Sequence, residues 1–280
     1  MNIQSAIIQG AQILKNKFFL NPYLDSEILM SKVINKDKKY LILNSQEKIE
    51  EKNLNLFQKL IDERSKGKPV SHLTSKKLFW NSEFFVTEDT LIPRPDTELI
   101  VENILNITKN KSKLSILDIG IGSGCVLFSI LRERKDFYGT GIDISKNCLK
   151  IANMNAISLK VHPRLKLYKS NVDKFSLGKY DLIVSNPPYI KKHIIKYLDK
   201  GVARFEPKIA LDGGLDGLSE IRKVIKKSSE LIKKNGKFIL EIGFDQKNKV
   251  IKLLNKEGFY INSALKDLAY NDRCIICTKI

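Results

Sequence analysis

A chain of 280 residues has room for one large domain and a small one, and its 42% hydrophobic content is ample for a packed core. No apolar run approaches the roughly 18 to 20 residues that cross a bilayer, and no basic segment followed by an apolar stretch opens the chain, so the sequence reads as a soluble, unprocessed, cytoplasmic protein without a membrane role. The formal net charge of +18 fits a surface for nucleic acid or an acidic protein, and fits equally a lysine-rich composition spread along the whole chain. Four cysteines, Cys125, Cys148, Cys274 and Cys277, are too few and too scattered for a disulfide framework. Cys274 and Cys277 form a C-x-x-C, but no second pair accompanies them and their surroundings alternate like a terminal strand, so no metal site is expected.

From Met1 to about Lys66, apolar residues recur at helical spacing (Ile3, Ile7, Ile8, Ala11, Leu14; Ile28, Leu29, Val33; Leu54, Phe57, Leu60), which predicts a small helical domain over residues 1–72. Asn21-Pro22 breaks it, with Asp25 or Ser26 expected to cap the next helix. Residues 73–92 turn aromatic and β-prone: Leu78-Phe79-Trp80, a polar Asn81-Ser82-Glu83, then Phe84-Phe85-Val86. A hairpin linker fits that pattern. In Ile92-Pro93-Arg94-Pro95-Asp96-Thr97-Glu98, two prolines fix the entry to a helix beginning near Asp96, and the polar residues gathered there suit a ligand-facing loop.

From Leu114 onward strands and helices alternate, which predicts an α/β domain over residues 93–280 with a mostly parallel sheet covered on both faces. Strands are expected near Ser115–Ile119, Tyr138–Ile142, Lys166–Tyr168, Tyr180–Ser185, Lys237–Glu241, Tyr260–Ser263 and Arg273–Thr278. Helices are expected at Cys125–Arg134, Ser145–Ala156, Leu218–Lys234 and Gln246–Glu257. The stretch Ile190–Gly217 is too long and irregular for an ordinary connection, and such loops are usually functional or disordered.

The first of these strands ends in Asp118-Ile119-Gly120-Ile121-Gly122-Ser123-Gly124 and opens a helix. Glycines there let the backbone turn tightly and approach a ligand, while free amides at the helix N-terminus face it. Asp143 closes the next strand, where a carboxylate can accept from both hydroxyls of a ribose. A dinucleotide fingerprint would need glycine at the position of Cys125. The Gly-x-Gly-x-Gly pattern after Asp118 resembles motif I of S-adenosylmethionine-dependent methyltransferases.

After the fourth strand comes Asn186-Pro187-Pro188-Tyr189, at the end of a parallel strand where open α/β sheets bind ligands. An amide nitrogen is a poor nucleophile, so its methylation depends on orientation in line with the methyl donor. The side-chain oxygen of Asn186 and the carbonyl of Pro187 are acceptors for two N–H groups, Pro188 stiffens the turn, and Tyr189 is expected to cover the planar face of the acceptor. No metal, covalent nucleophile or strong base is required.

Together, Leu91–Glu98, Asp118–Gly124, Asp143 and Asn186–Tyr189 resemble the bacterial release-factor glutamine methyltransferases. The later Arg204-Phe205-Glu206-Pro207 falls in the expected order. The resemblance implies a class I S-adenosylmethionine-dependent methyltransferase fold: a mostly parallel seven-stranded sheet with the last strand antiparallel, preceded by an N-terminal domain that docks substrate. It also implies methylation of the glutamine in the Gly-Gly-Gln motif of peptide chain release factors. On this resemblance Gly120, Ile121, Gly122, Ser123, Gly124, Asp143, Val172 and Asn186 hold S-adenosylmethionine, and Asn186, Pro187, Pro188 and Tyr189 hold the acceptor. Two positions depart from the family pattern. Asn171 and Val172 stand where an acidic and an aromatic residue usually meet the adenine, and Ser75 replaces a glycine common before the hairpin. A nucleic-acid amine methyltransferase is the nearest alternative, since the same motif grips exocyclic amines, but no second nucleic-acid reader is visible and no nucleic acid is expected as a direct partner. A non-catalytic binding protein is disfavoured by Asp143 and Asn186.

Overall fold

Helical periodicity near the N-terminus and strand–helix alternation after Leu114 resolve into two separately packed units in a computed structural model, which describes residues 1–280 with the side chain of Lys200 excepted. The first unit comprises Met1–Lys76 and Asp199–Phe205, the second Lys77–Leu198 and Glu206–Ile280.

In the first unit α1 (Ile3–Lys15), α2 (Pro22–Ile34), α3 (Lys38–Leu43), α4 (Glu51–Ser65) and α5 (Val70–Thr74) bury Ile7, Leu14, Leu29, Met30, Phe57 and Ile61 together. Asn2 caps α1 by accepting from the Ser5 N–H. Helix α2 starts at Pro22 itself, because proline lacks an N–H that would need a partner in the first turn. Asp25 and Ser26 therefore lie inside the helix and do not cap it. Asp25 instead pairs with Arg64 at 2.8 Å, and the buried Ser26 donates to the Ile7 carbonyl at 2.8 Å. Ser75 ends α5 in the left-handed region, at φ +58°, the conformation that a glycine would adopt without strain.

The second unit opens at Lys77, in the hairpin formed by β1 (Lys76–Phe79) and β2 (Ser82–Phe85). Trp80, expected in the first strand, sits in the turn at φ +51°, its N–H donating to Glu98 at 2.7 Å and its indole N–H to Glu133 at 3.0 Å. A 3-10 turn at Pro95–Thr97 leads into α6 (Glu98–Ile107). Then follow β3 (Ser115–Ile119), α7 (Cys125–Glu133), β4 (Tyr138–Asp143), α8 (Lys146–Ser158), β5 (Leu165–Lys169) and β6 (Tyr180–Ser185). Helix α9 (Lys200–Phe205) is part of the first unit. The chain finishes with α10 (Ser219–Leu231), β7 (Ile232–Glu241), α11 (Lys247–Lys256), β8 (Phe259–Lys266) and β9 (Asp272–Lys279).

The seven-stranded sheet runs β5-β4-β3-β6-β7-β9-β8, with β3 to β7 parallel and β9 antiparallel to both neighbours. This is the class I methyltransferase arrangement. Alternate strand residues feed opposite layers. Ile116, Leu182 and Val184 join Val101, Leu127 and Phe128, whereas Leu117 and Ile183 join Ile221, Val224 and Val250. Because β3 and β6 are neighbours at the centre of the sheet, their C-terminal ends bring Gly120 and Asn186 to the same edge.

Helix α10 stops three residues short of its expected end, and β7 starts at Ile232 rather than Lys237. Buried Ile232 pairs with Tyr180, after which the register shifts; Asn235 takes φ +61°, and pairing resumes at Leu182 and Lys237. The expected irregular stretch Ile190–Gly217 contains 3-10 turns at Ile195–Tyr197 and Lys208–Ala210 besides α9. Its ends are tied in the second unit: Gly213 donates to the Ile190 carbonyl and Lys192 to the Gly214 carbonyl, both at 2.9 Å. No helix among the described residues is long and apolar enough to cross a membrane.

Candidate active site

At the C-terminal edge of β3, β4 and β6 lies a cavity of about 470 Å³. One wall is the glycine loop. Gly120 and Gly122 take φ of +78° and +56°, and a Cβ on either would meet no protein atom within 4 Å, so both open onto free space. The N–H groups of Gly120 and Ile121 both donate to the Ile142 carbonyl at 2.9 Å. Asp143 accepts from the Gly122 N–H at 3.0 Å and the Ser145 N–H at 2.8 Å, which locks its carboxylate to the loop on one side and to the start of α8 on the other.

Of the residues singled out for the cofactor, Gly120, Ile121, Gly122, Ser123, Asp143, Val172 and Asn186 line this cavity, and Pro187 and Pro188 line it with them. Gly124 and Tyr189 do not. At Gly124, with φ +84°, a Cβ would lie 2.0 Å from the Phe128 ring, so this glycine serves the packing of the first turn of α7. The Tyr189 hydroxyl instead donates to Glu241 Oε1 at 3.3 Å and accepts from Arg273 Nη1 at 3.4 Å, while its ring packs against the core beneath β6 and β7. Burial pushes the Tyr189 phenol well above its ordinary range, helped by the charge of Glu241.

Beside the glycine loop the cavity floor is acidic. Asp118, buried one residue before the end of β3, is pushed up to about 7 by desolvation and by the charge of Asp143. Asp143 is also raised by burial, against the N–H bonds of Ser145 and Gly122 that favour its ionised form. One buried and one half-buried carboxylate beside one cavity favour a cation there, and S-adenosylmethionine carries a sulfonium and an ammonium. The open cradle above Gly120 and Gly122, the Asp143 carboxylate and this acidic floor all fit that group. Asn171 caps the turn at Val172–Lys174 by accepting from Asp173 at 3.1 Å, which seats Val172 against the same cavity.

Another stretch of the lining comes from Leu91, Pro93, Arg94 and Thr97. It is held by Glu206, which is buried and accepts from the Ile92 N–H at 3.2 Å and from Arg94. Asn155 fastens the hairpin to the glycine loop: its Nδ2 donates to the carbonyls of Ser123 and Phe85 at 2.8 and 3.0 Å, and its Oδ1 accepts from the Phe85 N–H. The Asn186 amide donates from Nδ2 to Thr97 Oγ1 at 3.4 Å, and Thr97 in turn donates to Glu241 Oε2 at 2.7 Å. Burial lifts Glu241 to about 7, opposed by the Thr97 hydrogen bond and the Arg273 charge.

Residues 5–74 match the PrmC N-terminal domain family, and residues 95–200 the Methyltransferase small domain family. A release factor glutamine methyltransferase of Clostridium acetobutylicum is 34% identical over 285 residues, covering 100% of this chain and 99% of the relative. The chain belongs to the release factor glutamine methyltransferase family. A family member from Clostridium botulinum is 33% identical over 282 residues, covering 100% of both chains. Another, from Caulobacter vibrioides, is 32% identical over 267 residues, with 95% of this chain and 92% of the relative covered. As a member of the release factor glutamine methyltransferase family, the chain is an S-adenosylmethionine-dependent methyltransferase.

Proposed function

We propose that the protein methylates the side-chain amide nitrogen of the glutamine in the Gly-Gly-Gln motif of peptide chain release factors, in the cytoplasm. The observation that carries this reading is the shared cavity. Gly120, Gly122 and Asp143 line it together with Asn186, Pro187 and Pro188. The names of the full-length relatives support a release factor as the acceptor.

On this reading Gly120–Ser123 and Asp143 hold the cofactor, with Asp118 facing its positive charge and Val172 beside its base. S-adenosylmethionine supplies the methyl group when bound. Asn186 Oδ1 and the Pro187 carbonyl accept the two N–H bonds of the glutamine amide, so that its nitrogen lone pair points along the cavity. An amide lone pair is delocalised into its carbonyl, and fixed orientation compensates for the weak nucleophile. The proton leaves after transfer, once the nitrogen has become acidic, and needs no dedicated base. Tyr189 contributes by anchoring the end of the motif to Glu241 and Arg273 rather than by covering the acceptor. Residues 1–72 act as a docking domain for the release factor, residues 73–92 as a linker and residues 93–280 as the catalytic domain.

The test is direct. Purified protein is incubated with labelled S-adenosylmethionine and either a release factor or nucleic acid, and the modified position is mapped by mass spectrometry. Label on the Gly-Gly-Gln glutamine is the expected result. Label on a nucleobase, or on another residue of the release factor, would overturn the reading.

A further inference from the structure

Glu241 lies outside the cavity, yet one of its oxygens accepts from Tyr189 and the other from Thr97, which in turn accepts from Asn186. We propose that Glu241 is a positioning residue which, through the hydroxyl of Thr97, determines which end of the Asn186 amide faces the acceptor. The inference rests on the reading above, in which Asn186 meets the glutamine amide, and adds the reason why that side chain presents its oxygen.

The two ends of an asparagine amide are nearly identical in shape, so packing alone does not select between them. Hydrogen-bond bookkeeping does. A threonine hydroxyl has one proton, and that of Thr97 goes to Glu241 Oε2 at 2.7 Å. An ionised carboxylate has no proton to return. Thr97 Oγ1 is left with lone pairs only, and toward Asn186 it can act solely as an acceptor. The Asn186 group opposite it is Nδ2, at 3.4 Å. A bond this long adds little attraction. Its effect is exclusion, because the flipped amide would set Oδ1 against the lone pairs of Thr97. With Nδ2 committed to Thr97, Oδ1 is the end available to accept an N–H from the substrate.

The second oxygen of Glu241 fixes the far end of the same motif, accepting from the Tyr189 hydroxyl at 3.3 Å. Tyr189 is further held by Arg273 Nη1 at 3.4 Å and, at its carbonyl, by Gln246 Nε2 at 3.0 Å. Arg273 is itself fixed by Asp267 at 2.9 Å and faces Asp96 at 3.7 Å. One carboxylate, 2% exposed, thus spans Asn186 and Tyr189 with two prolines stiffening the chain between them. Thr97 is equally enclosed, at 3% exposure.

The experiment compares wild type, Thr97→Val and Thr97→Ser above about pH 8, where Glu241 is ionised. Initial rates on a purified release factor give kcat and the acceptor KM, and calorimetry gives S-adenosylmethionine affinity. Valine keeps the shape of threonine and removes the hydroxyl; serine keeps the hydroxyl. The expected result is a loss of about 10- to 100-fold in kcat for Thr97→Val, with cofactor affinity unchanged and most of the rate restored in Thr97→Ser. Wild-type kcat in Thr97→Val would overturn the proposal. So would a Thr97→Ser variant as slow as Thr97→Val, or a cofactor affinity that falls in step with kcat, since either means Thr97 acts through packing. Glu241→Ala removes the acceptor opposite Thr97, and a wild-type rate there would also count against the proposal. If the wild-type protein places no methyl group on a release-factor glutamine, the functional reading fails first; if it does and Thr97→Val matches it, only the positioning role fails.

Discussion

Around the glycine loop, the cavity wall is fixed by main chain, with Gly120 and Ile121 bonded to the Ile142 carbonyl and Asp143 held by two backbone N–H groups. Around Asn186 it is fixed by side chains from distant segments: Thr97 bonds to Glu241 across 144 positions, and Asn186 to Thr97 across 89. A main-chain wall tolerates changes in side chains but not in φ. A side-chain wall has the opposite weakness, because one altered hydroxyl or carboxylate redirects its neighbours.

Separate construction predicts separable function, and the largest effect tests that. Asn186→Ala should lower kcat about 100- to 1000-fold, the scale of losing one oriented polar contact to a reacting group. S-adenosylmethionine affinity, measured by calorimetry, should stay within about twofold. Parallel loss of both would mean that the two regions form one coupled site.

Asp118→Asn probes the floor beneath the glycine loop. The carboxyl of Asp118 is raised in the folded protein to about 7 from the ordinary 3.8, so its favourable contribution is complete below about pH 4 and is lost as pH rises through about 7. The variant, which cannot ionise, should therefore gain stability over wild type across that window, by a few kcal/mol at its upper end and by little at its lower end. Denaturant unfolding without cofactor at several pH values measures the difference. An advantage for the variant that is independent of pH would rule out this buried charge as its origin.

Asp143→Ala removes the acceptor tied to Gly122 and Ser145. Cofactor affinity should fall by about 2 to 3 kcal/mol, as expected for charge-assisted hydrogen bonds, while kcat at saturating cofactor changes far less. Equal affinity in the variant would remove Asp143 from the ribose.

The glycines sharpen the comparison within one loop. Gly124→Ala should cost about 2 kcal/mol of stability, from the Phe128 clash and strained φ together. Gly122→Ala should cost about 1 kcal/mol, the strain of φ alone, yet weaken the cofactor more, since its methyl group enters the open cradle. Thermal melts with and without S-adenosylmethionine separate the two effects, and the reverse ranking would contradict the roles given to these glycines.

The same contrast explains what the sequence disclosed. Residues 118–124 are contiguous, and their φ demands appear as glycine, so the loop and its strand–turn–helix setting could be read directly. The sheet followed from alternation, except where β7 extends through Ile232–Gly236: its polar Lys233, Lys234 and Asn235 look like a helix end, and only the pairing of Ile232 with Tyr180 draws them into the strand. Asn186–Tyr189 stood out as a motif, but the direction of Tyr189 depends on Glu241 and Arg273, 52 and 84 positions away. Nothing local encodes such partners. Gly124 shows the same limit: glycine for ligand approach and glycine for packing against Phe128 look alike until the ring is placed.

The hairpin turn has an optical consequence. Trp80 is the single tryptophan of the chain, and it belongs to the larger unit, with its indole N–H held by Glu133 at the end of α7. Tryptophan emission therefore reports on the larger unit alone, the one that contains the cavity, whereas far-ultraviolet dichroism sums the helices of both units. Unfolding traces followed by the two signals should coincide if the units melt together. Where they part, the emission trace gives the stability of the larger unit without separating it from the rest of the chain.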